Sequence, residues 1–363
     1  MRVLFDHQVT SLQDAGGISR YHYELARHIS RKPGVEVAMY LGLSKNVHDY
    51  AALRNGTLRV RSFRSPIKPG LARYAINEIV TGCFLFGQKC DIYHPTRYRE
   101  MYGIRAGAVV VTHHDSAHER FPELFKNADR VIRFKSRSFR DADLVICVSR
   151  SSQQDLFRFH GVAENKTRVI YHGLSALPAP PKETAPLPER PYILYVGARY
   201  PYKNCAALIQ AFGESRLHSQ FDLLLIGGGG LSVSEQQQIR ALGISAAVHQ
   251  RNASSDAQLS QAYASASLFV YPSLYEGFGF PPLEAMSLGC IVLAARTSSI
   301  PEICRDVPYY FDPNDISHLT MMMTQAINAS DHKQRVLAGR ELAASYRWSD
   351  CASQTLEAYR EVS

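Results

Sequence analysis

Tryptophan occurs once in this chain of 363 residues, and its seven cysteines are scattered without a single C-x-x-C pair. An odd, dispersed set lacks the spacing of a disulfide framework or a zinc site. Several of the cysteines stand in apolar runs, as Cys147 does in DLVICVS, and read as buried, reduced thiols. Long apolar runs are missing too, since nothing approaches the roughly 20 residues of a membrane span. The opening MRVLFDHQVT turns polar too soon for a signal-peptide core. Helix-turn-helix, zinc-finger and RNA-module signatures are absent, so no nucleic-acid partner is expected. No Walker G-K-[ST] loop is present, and DAGGISRY is not a G-x-G-x-x-G fingerprint. These absences imply a cytoplasmic protein.

Charge is where the sequence has an excess. The net charge is +8, with 45% apolar and 20% charged residues, an ordinary globular balance apart from its sign. The cations cluster. Arg54, Arg59, Arg61, Arg64, Lys68 and Arg73 form one run without an acid, interleaved with Phe63, Ile67, Leu71, Tyr74 and Ile76. Lys126, Arg130, Arg133, Lys135, Arg137 and Arg140 form a second, broken only by Asp129. Such runs are solvated faces or contacts with an anionic membrane surface. The apolar interleaving of the first favours a peripheral membrane contact.

Short β-rich runs alternate with helical patterns throughout, which implies parallel, doubly wound sheets. Runs at 2–5, 35–41, 90–93, 108–112, 143–148 and 168–171 are predicted strands of a first domain, residues 1–173. Runs at 192–196, 221–226, 268–271, 291–294 and 309–311 are predicted strands of a second, residues 192–345. Between them lies the proline-rich LSALPAPPKETAPLPERP, residues 174–191, which suits a semi-rigid linker. Stretches 19–29 and 204–214 carry helical patterning. Ligands of doubly wound sheets bind beyond the carboxyl ends of the strands, so the polar residues there are the candidates, and a cleft between two domains is the expected place.

The densest of these is YPSLYEGFGFPPLEAMSLG, residues 271–289. Glu276 and Glu284 flank Gly277, Phe278 and Gly279, and Pro281-Pro282 opens a helix. Free N–H groups at a helix start attract phosphate, while carboxylates accept from hydroxyls. Diphosphate and sugar together mean a nucleotide sugar. Two unrelated surface glutamates are the bland alternative. In VGARYPYKN, Arg199 and Lys203 follow Gly197, a strand end, and suit a diphosphate and the charge that develops as it leaves. Gly16 and Gly17 are a phosphate-approaching loop or a plain turn. In THHDS, His114 follows a strand and is a candidate for the transferred sugar, with Asp115 to orient it, while His113 supports the fold. His94 in YHPTRY is assigned to the acceptor side. The fourteen histidines are given no metal site.

With these residues in place the chain resembles the retaining family-4 glycosyltransferases of the GT-B fold. The likeness rests on GGISRY, VVTHHD, ADLVICVSRSSQQDL, VIYHG, VGARYPYKN, LLLIGGGG, the run from 262 to 302 ending in SSIPEI, and YRWSDCASQTLEAYRE. GGISRY with THHD is similar to the mannosyltransferase-like branch of bacterial O-antigen and lipopolysaccharide synthesis. The resemblance implies an α/β fold of two Rossmann-like doubly wound domains facing each other across a cleft, with a closing helix near 346–363 returning to the first domain. It implies that Glu276 binds sugar hydroxyls and Glu284 the ribose, and that Arg199, Lys203 and the N–H groups of 277–279 hold the diphosphate. Gly17 then approaches the phosphates, His114 sits near the sugar, and the backbone around Arg251-Asn252 and the Gly227 loop is expected to read the base. The implied reaction moves a hexose with retention, from a GDP-linked donor to a lipid-linked glycan, without metal or other cofactor. A nucleotide-sugar epimerase and a non-catalytic nucleotide-sugar-binding scaffold are the alternatives. Cys205, where small residues are frequent in the family, is the one departure from its pattern.

Overall fold

The computed structural model describes residues 1–12, 16–44, 58–64, 70–98, 103–179, 187–252 and 255–363. The chain divides into two compact units, Met1–Gly173 with Arg347–Ser363, and Leu174–Tyr346. Residues 180–186 of the expected linker lie outside the described residues.

The first unit is built on strands β1 (Arg2–Phe5), β2 (Glu36–Ser44), β3 (Leu58–Arg64), β4 (Lys89–His94), β5 (Arg105–His113), β6 (Leu144–Cys147) and β7 (Thr167–Val169). They form one parallel sheet in the order β3-β2-β1-β4-β5-β6-β7. The second unit holds β8 (Tyr192–Val196), β9 (Asp222–Ile226), β10 (Val248–Arg251), β11 (Leu268–Tyr271), β12 (Val292–Ala295) and β13 (Tyr309–Phe311). These are again parallel, in the order β10-β9-β8-β11-β12-β13. In each sheet the order reverses once, between β1 and β4 and between β8 and β11. Those reversals are the topological switch points, where a crevice opens beyond the strand ends.

All residues of β8, β9, β11 and β12 are buried. A parallel sheet is covered on both faces, so these strands read as continuous apolar runs without alternation. Helix Cys205–Glu214 shows the other period, burying Cys205, Leu208, Ile209 and Phe212 against Ile193, Leu223 and Leu225. Burying a side chain such as Phe212 stabilises by about 1.5–3 kcal/mol. Helix Arg150–His160 is bounded by sequence: Ser149 and Ser152 form a capping box, and Gly161 closes it in the left-handed region at φ 61°.

Two strands escaped the sequence reading. β3 falls within the first basic run, and β10 (VHQR) is short and polar; both are edge strands, which need no apolar run. Arg59, Arg61 and Arg64 lie in β3 and Arg73 in helix Gly70–Leu85, whereas Arg54 and Lys68 lie outside the described residues. The second basic run is not one solvated face: Lys135 is 2% exposed, and its Nζ donates to Glu119 at 2.9 Å and to the Asp115 carbonyl at 2.8 Å. Six of the seven cysteines are buried and all are free thiols, with Cys83 exposed.

Candidate active site

At the β8/β11 switch point two loops meet. The segment after β8 makes a turn of 3-10 helix, Pro201–Lys203, and Asn204 then takes left-handed geometry (φ 58°) before the next helix. The Leu274 N–H donates to the Tyr202 carbonyl at 2.8 Å, tying this segment to the one after β11. That register brings Lys203 onto Glu276. The Lys203 Nζ donates to both carboxylate oxygens at 2.7 and 2.8 Å, and the Tyr271 hydroxyl donates to Oε1 at 2.5 Å. Burial, then the adjacent Glu276 charge, raises the Tyr271 pKa well above the usual phenol range, so it stays a donor. The Glu276 N–H donates to the Ser298 hydroxyl at 2.9 Å, and the Ser299 hydroxyl donates to the carbonyls of Glu276 and Phe278. Glu276 is therefore fixed in side chain and backbone, while the pair stays 18% and 11% exposed.

Arg199 sits otherwise than the sequence reading assigned it. Its side chain is 4% exposed, and its Nε donates to Glu235 at 2.8 Å. Its terminal nitrogens donate to the carbonyls of Gly227, Gly229 (2.8 Å) and Gly230 (2.6 Å). Four of the five guanidinium donors are thus committed to the glycine loop after β9. Gly227 requires glycine: its φ is +96°, and a Cβ there would stand 2.8 Å from the Gly197 carbonyl oxygen. The loop is also joined to β10, since the Gly227 N–H donates to the Arg251 carbonyl at 3.0 Å. Asn252 follows, exposed, its side chain accepting from Gln250 at 3.3 Å.

Gly279 precedes helix Phe280–Ser287 at φ 102°, with two prolines in the first turn. Glu284 is inside that helix and 7% exposed, accepting from the Tyr263 hydroxyl at 3.3 Å. Gly277 and Phe278 lie in the loop between Glu276 and this helix. Gly197, Arg199, Lys203, Glu276, the 277–279 loop, Glu284, Arg251 and Asn252 therefore all belong to the second unit, at or near the carboxyl ends of β8, β10 and β11.

In the first unit, Gly16 and Gly17 open helix Gly17–Ile29 and are exposed. His114 follows β5, and its N–H donates to the Tyr98 hydroxyl at 3.4 Å. Its ring stacks on His172 at 5.8 Å and meets Tyr21 edge-on at 5.2 Å. Burial drives its pKa down to about 4, against the opposing pull of Asp115. Asp115 does not orient that ring: its carboxylate accepts from the Ala117 N–H at 3.0 Å, opening a short helix. Burial alone raises the Asp115 pKa, but Lys135, the Ala117 N–H and the two histidines outweigh it and hold the carboxyl at about 2. The acceptor-side assignment of His94 is also corrected. It is fully buried, with Nδ1 on the Tyr359 hydroxyl at 2.6 Å and Nε2 on Thr112 at 2.8 Å, and burial lowers its pKa to about 3. It is a core histidine that fastens helix Trp348–Val362 to the first unit. His118 stands four residues after His114 but stacks on Phe125 at 4.2 Å, and no three metal-type ligands converge among the described residues.

Sequence reasoning overlooked Asp6, Tyr271, Glu235 and Ser298 as functional positions. Asp6 is fully buried after β1 and accepts from the Thr96 N–H and hydroxyl and from Tyr93, so it ties the ends of β1 and β4 together. Tyr271 stands at a strand terminus within the motif, which was the available signal. Glu235 and Ser298 are separated in sequence from their partners and carry no local mark.

The model of the glycosyltransferase family 4 matches residues 15–176, and that of the glycosyl transferases group 1 matches residues 180–338. An O-antigen chain mannosyltransferase B of Escherichia coli is 28% identical, over 95% of this chain and 96% of its own. An MMP alpha-(1->4)-mannosyltransferase of Mycolicibacterium hassiacum is 26% identical over 64% of this chain and 57% of its own. Among solved structures, sucrose-phosphate synthase of Thermosynechococcus elongatus shares the fold with a TM-score of 0.75 at 18% identity, covering 99% of this chain and 98% of that one. Anabaena HepE in complex with UDP and glucose does so at 0.72 and 19%, covering 99% and 100%. With a family-4 half and a group-1 half that follow each other along two parallel switch-point sheets, the chain belongs to the glycosyltransferases of the GT-B fold.

Proposed function

We propose that this glycosyltransferase is a retaining mannosyltransferase of bacterial O-antigen synthesis, using a GDP-linked mannose donor, a lipid-linked glycan acceptor and no metal. The observation that carries the site is the Lys203–Glu276–Tyr271 constellation at the switch point of the second sheet. The sugar assignment is supported by the mannosyltransferase of Escherichia coli that aligns along nearly the whole chain. An ammonium has three donors; two are on Glu276, which leaves one for a phosphate oxygen. Glu276, held by Lys203 and Tyr271, is placed to accept from sugar hydroxyls rather than to attack carbon. The leaving phosphate then takes the proton of the acceptor hydroxyl: the bond from the anomeric carbon to phosphate oxygen breaks, and the bond to the acceptor oxygen forms on the same face. Lys203 stabilises the departing charge in place of a metal. Arg199 acts one step removed, holding the glycine loop.

A peripheral contact with an anionic membrane surface fits the first unit. Helix Gly70–Leu85 exposes Ile76, Ile79, Val80 and Phe84, and Phe86 beyond it is 76% exposed. Lys89 and Arg105, both exposed, flank that end through the Arg105–Gln88 and Gly87–Gly103 backbone bonds. No helix among the described residues is long and apolar enough to cross a membrane.

The first experiment is a thermal-shift titration with GDP, UDP, dTDP and ADP and their sugar conjugates. A ligand of the folded state adds about 2.7 kcal/mol at a hundredfold excess over Kd. A shift with GDP and GDP-mannose alone is expected; no shift with any nucleotide defeats the reading. Acceptor-dependent release of nucleoside diphosphate in EDTA, with the anomeric configuration of the product read by NMR, then tests transfer, metal independence and retention.

A further inference from the structure

The chemistry at Lys203 and Glu276 makes no use of the tyrosine that closes GGISRY. Tyr21 stands one turn along helix Gly17–Ile29 from Gly17 and is 1% exposed. Its hydroxyl is bonded to the Thr112 hydroxyl at 3.1 Å, Thr112 to His94 Nε2 at 2.8 Å, and His94 Nδ1 to the Tyr359 hydroxyl at 2.6 Å. A neutral imidazole has one donor and one acceptor nitrogen, and either tautomer of His94 satisfies all three bonds at once. This buried chain runs through β5 and β4 to helix Trp348–Val362 and fixes Tyr21 at its hydroxyl end. The other end of the ring lies edge-on to His114, centroids 5.2 Å apart and planes at 79°. His172 stacks on the same imidazole at 5.8 Å, and His22 meets it edge-on at 6.1 Å. Edge-on and offset contacts are the favoured ring geometries, so three rings set its angle. Neither ring nitrogen of His114 has a hydrogen-bond partner among the described residues. Burial lowers its pKa to about 4, so at neutral pH one nitrogen donates and the other accepts. His113 beside it differs, with Nε2 bonded to Ser116 at 3.1 Å. A half-buried histidine held by rings, with both nitrogens unspent, is oriented for a ligand rather than for the fold.

We infer that Tyr21 is a positioning residue for His114: anchored through its hydroxyl, it holds the imidazole at the angle from which a ring nitrogen bonds a hydroxyl of the transferred sugar. The inference rests on the transferase reading above and on His114 meeting that sugar, as the family resemblance implies. Tyr21 itself touches no substrate. Small errors in the angle of a group at the reacting sugar are costly to turnover, which gives a buried anchor its use. Through His94 the C-terminal helix becomes part of the support of the site.

The test is a double-mutant cycle of Tyr21→Phe and Tyr21→Leu with His114→Ala in the full chain. It is read as GDP release from GDP-mannose, with octyl mannoside and with water as acceptor. Melting temperatures and GDP-induced thermal shifts are taken on the same samples. Tyr21→Phe keeps the ring and cuts the anchor, so kcat should fall about tenfold, and Tyr21→Leu should fall further. GDP affinity should stay within about twofold in both, because the loss is in turnover and not in donor binding. On the His114→Ala background neither change should lower kcat again, since its target is gone. Wild-type kcat in Tyr21→Phe, equal losses on both backgrounds, or losses that follow GDP affinity each overturn the inference. Tyr21→Phe removes a single hydroxyl, so it decides the cycle even where Tyr21→Leu fails to fold. Wild-type turnover in His114→Ala overturns the inference and leaves the transferase reading standing. Wild type that neither shifts with GDP nor releases it overturns the transferase reading itself.

Discussion

Lys203→Ala acts on two quantities at once, and the structure gives each a size. The substitution removes the Nζ that touches both Glu276 oxygens and leaves a carboxylate, 11% exposed, with the Tyr271 hydroxyl as its remaining side-chain donor. Depriving a buried acceptor of its donor costs about 1–3 kcal/mol of stability. At roughly 2–4 °C per kcal/mol for 150–250 residues the melting temperature should fall by about 2–12 °C, which leaves the fold intact. Catalysis should suffer more. If the free ammonium donor meets the departing phosphate, its loss costs about 2.7–4 kcal/mol of transition-state stabilisation, or about 10²–10³ in kcat. The assay is nucleoside diphosphate release at saturating donor and acceptor, with the melting temperature taken on the same preparation. Combining Lys203→Met with Glu276→Gln should destabilise less than the sum of the single changes, because the two side chains are in contact. A Lys203→Ala enzyme that is less stable yet turns over within about threefold of wild type would refute the catalytic role and leave the pair as a structural bridge.

Three further outcomes follow from the geometry. Arg199→Lys keeps the charge but not the fork that spans Glu235 and three loop carbonyls, so nucleotide affinity should drop about tenfold or more in Kd by thermal-shift titration; full rescue by lysine would restore a simple charge role. Gly227→Ala forces a Cβ against a backbone oxygen at positive φ and should cost about 1–3 kcal/mol by urea unfolding, whereas unchanged stability would contradict the loop geometry. Acid should destabilise the first unit early. His94 and His114 are held by burial at about 3 and about 4 in the folded state, and His22 and His172 well below the usual value, so the unfolded chain binds more protons between about pH 4 and 6.5. Stability is therefore complete above about pH 6.5 and falls as pH drops toward 4; urea midpoints that stay level from pH 7.5 to 5 would show that these histidines carry charge in the fold.

What the sequence made legible was set by burial on both faces. Tyr192–Val196 and Leu268–Tyr271 match the predicted strand limits because covered strands must be apolar throughout. The edge strand Val248–Arg251 carries no such demand and was missed. At the site, the motif around Glu276 announced its position but not its partners. That Lys203 pairs with Glu276, and that Arg199 turns to the glycine loop, depends on loops from β8, β9 and β11 meeting at a strand-order reversal, which pair-by-pair spacing does not encode. His94 was misplaced for a related reason: a histidine beyond a strand end looks the same in sequence whether it faces a ligand or, as here, Tyr359 from more than 260 residues away.

That long reach has a consequence for biosynthesis. The first unit is discontinuous, needing Arg347–Ser363 for completion, while Leu174–Tyr346 is one unbroken stretch. As the chain emerges from the ribosome the first sheet appears first but must wait, with Tyr21, His94 and His172 lacking the cover of Trp348 and Tyr359. The second unit can close in the meantime, so the order of completion reverses the order of synthesis. Chains cut short before residue 347 leave that aromatic and histidine core without its cover.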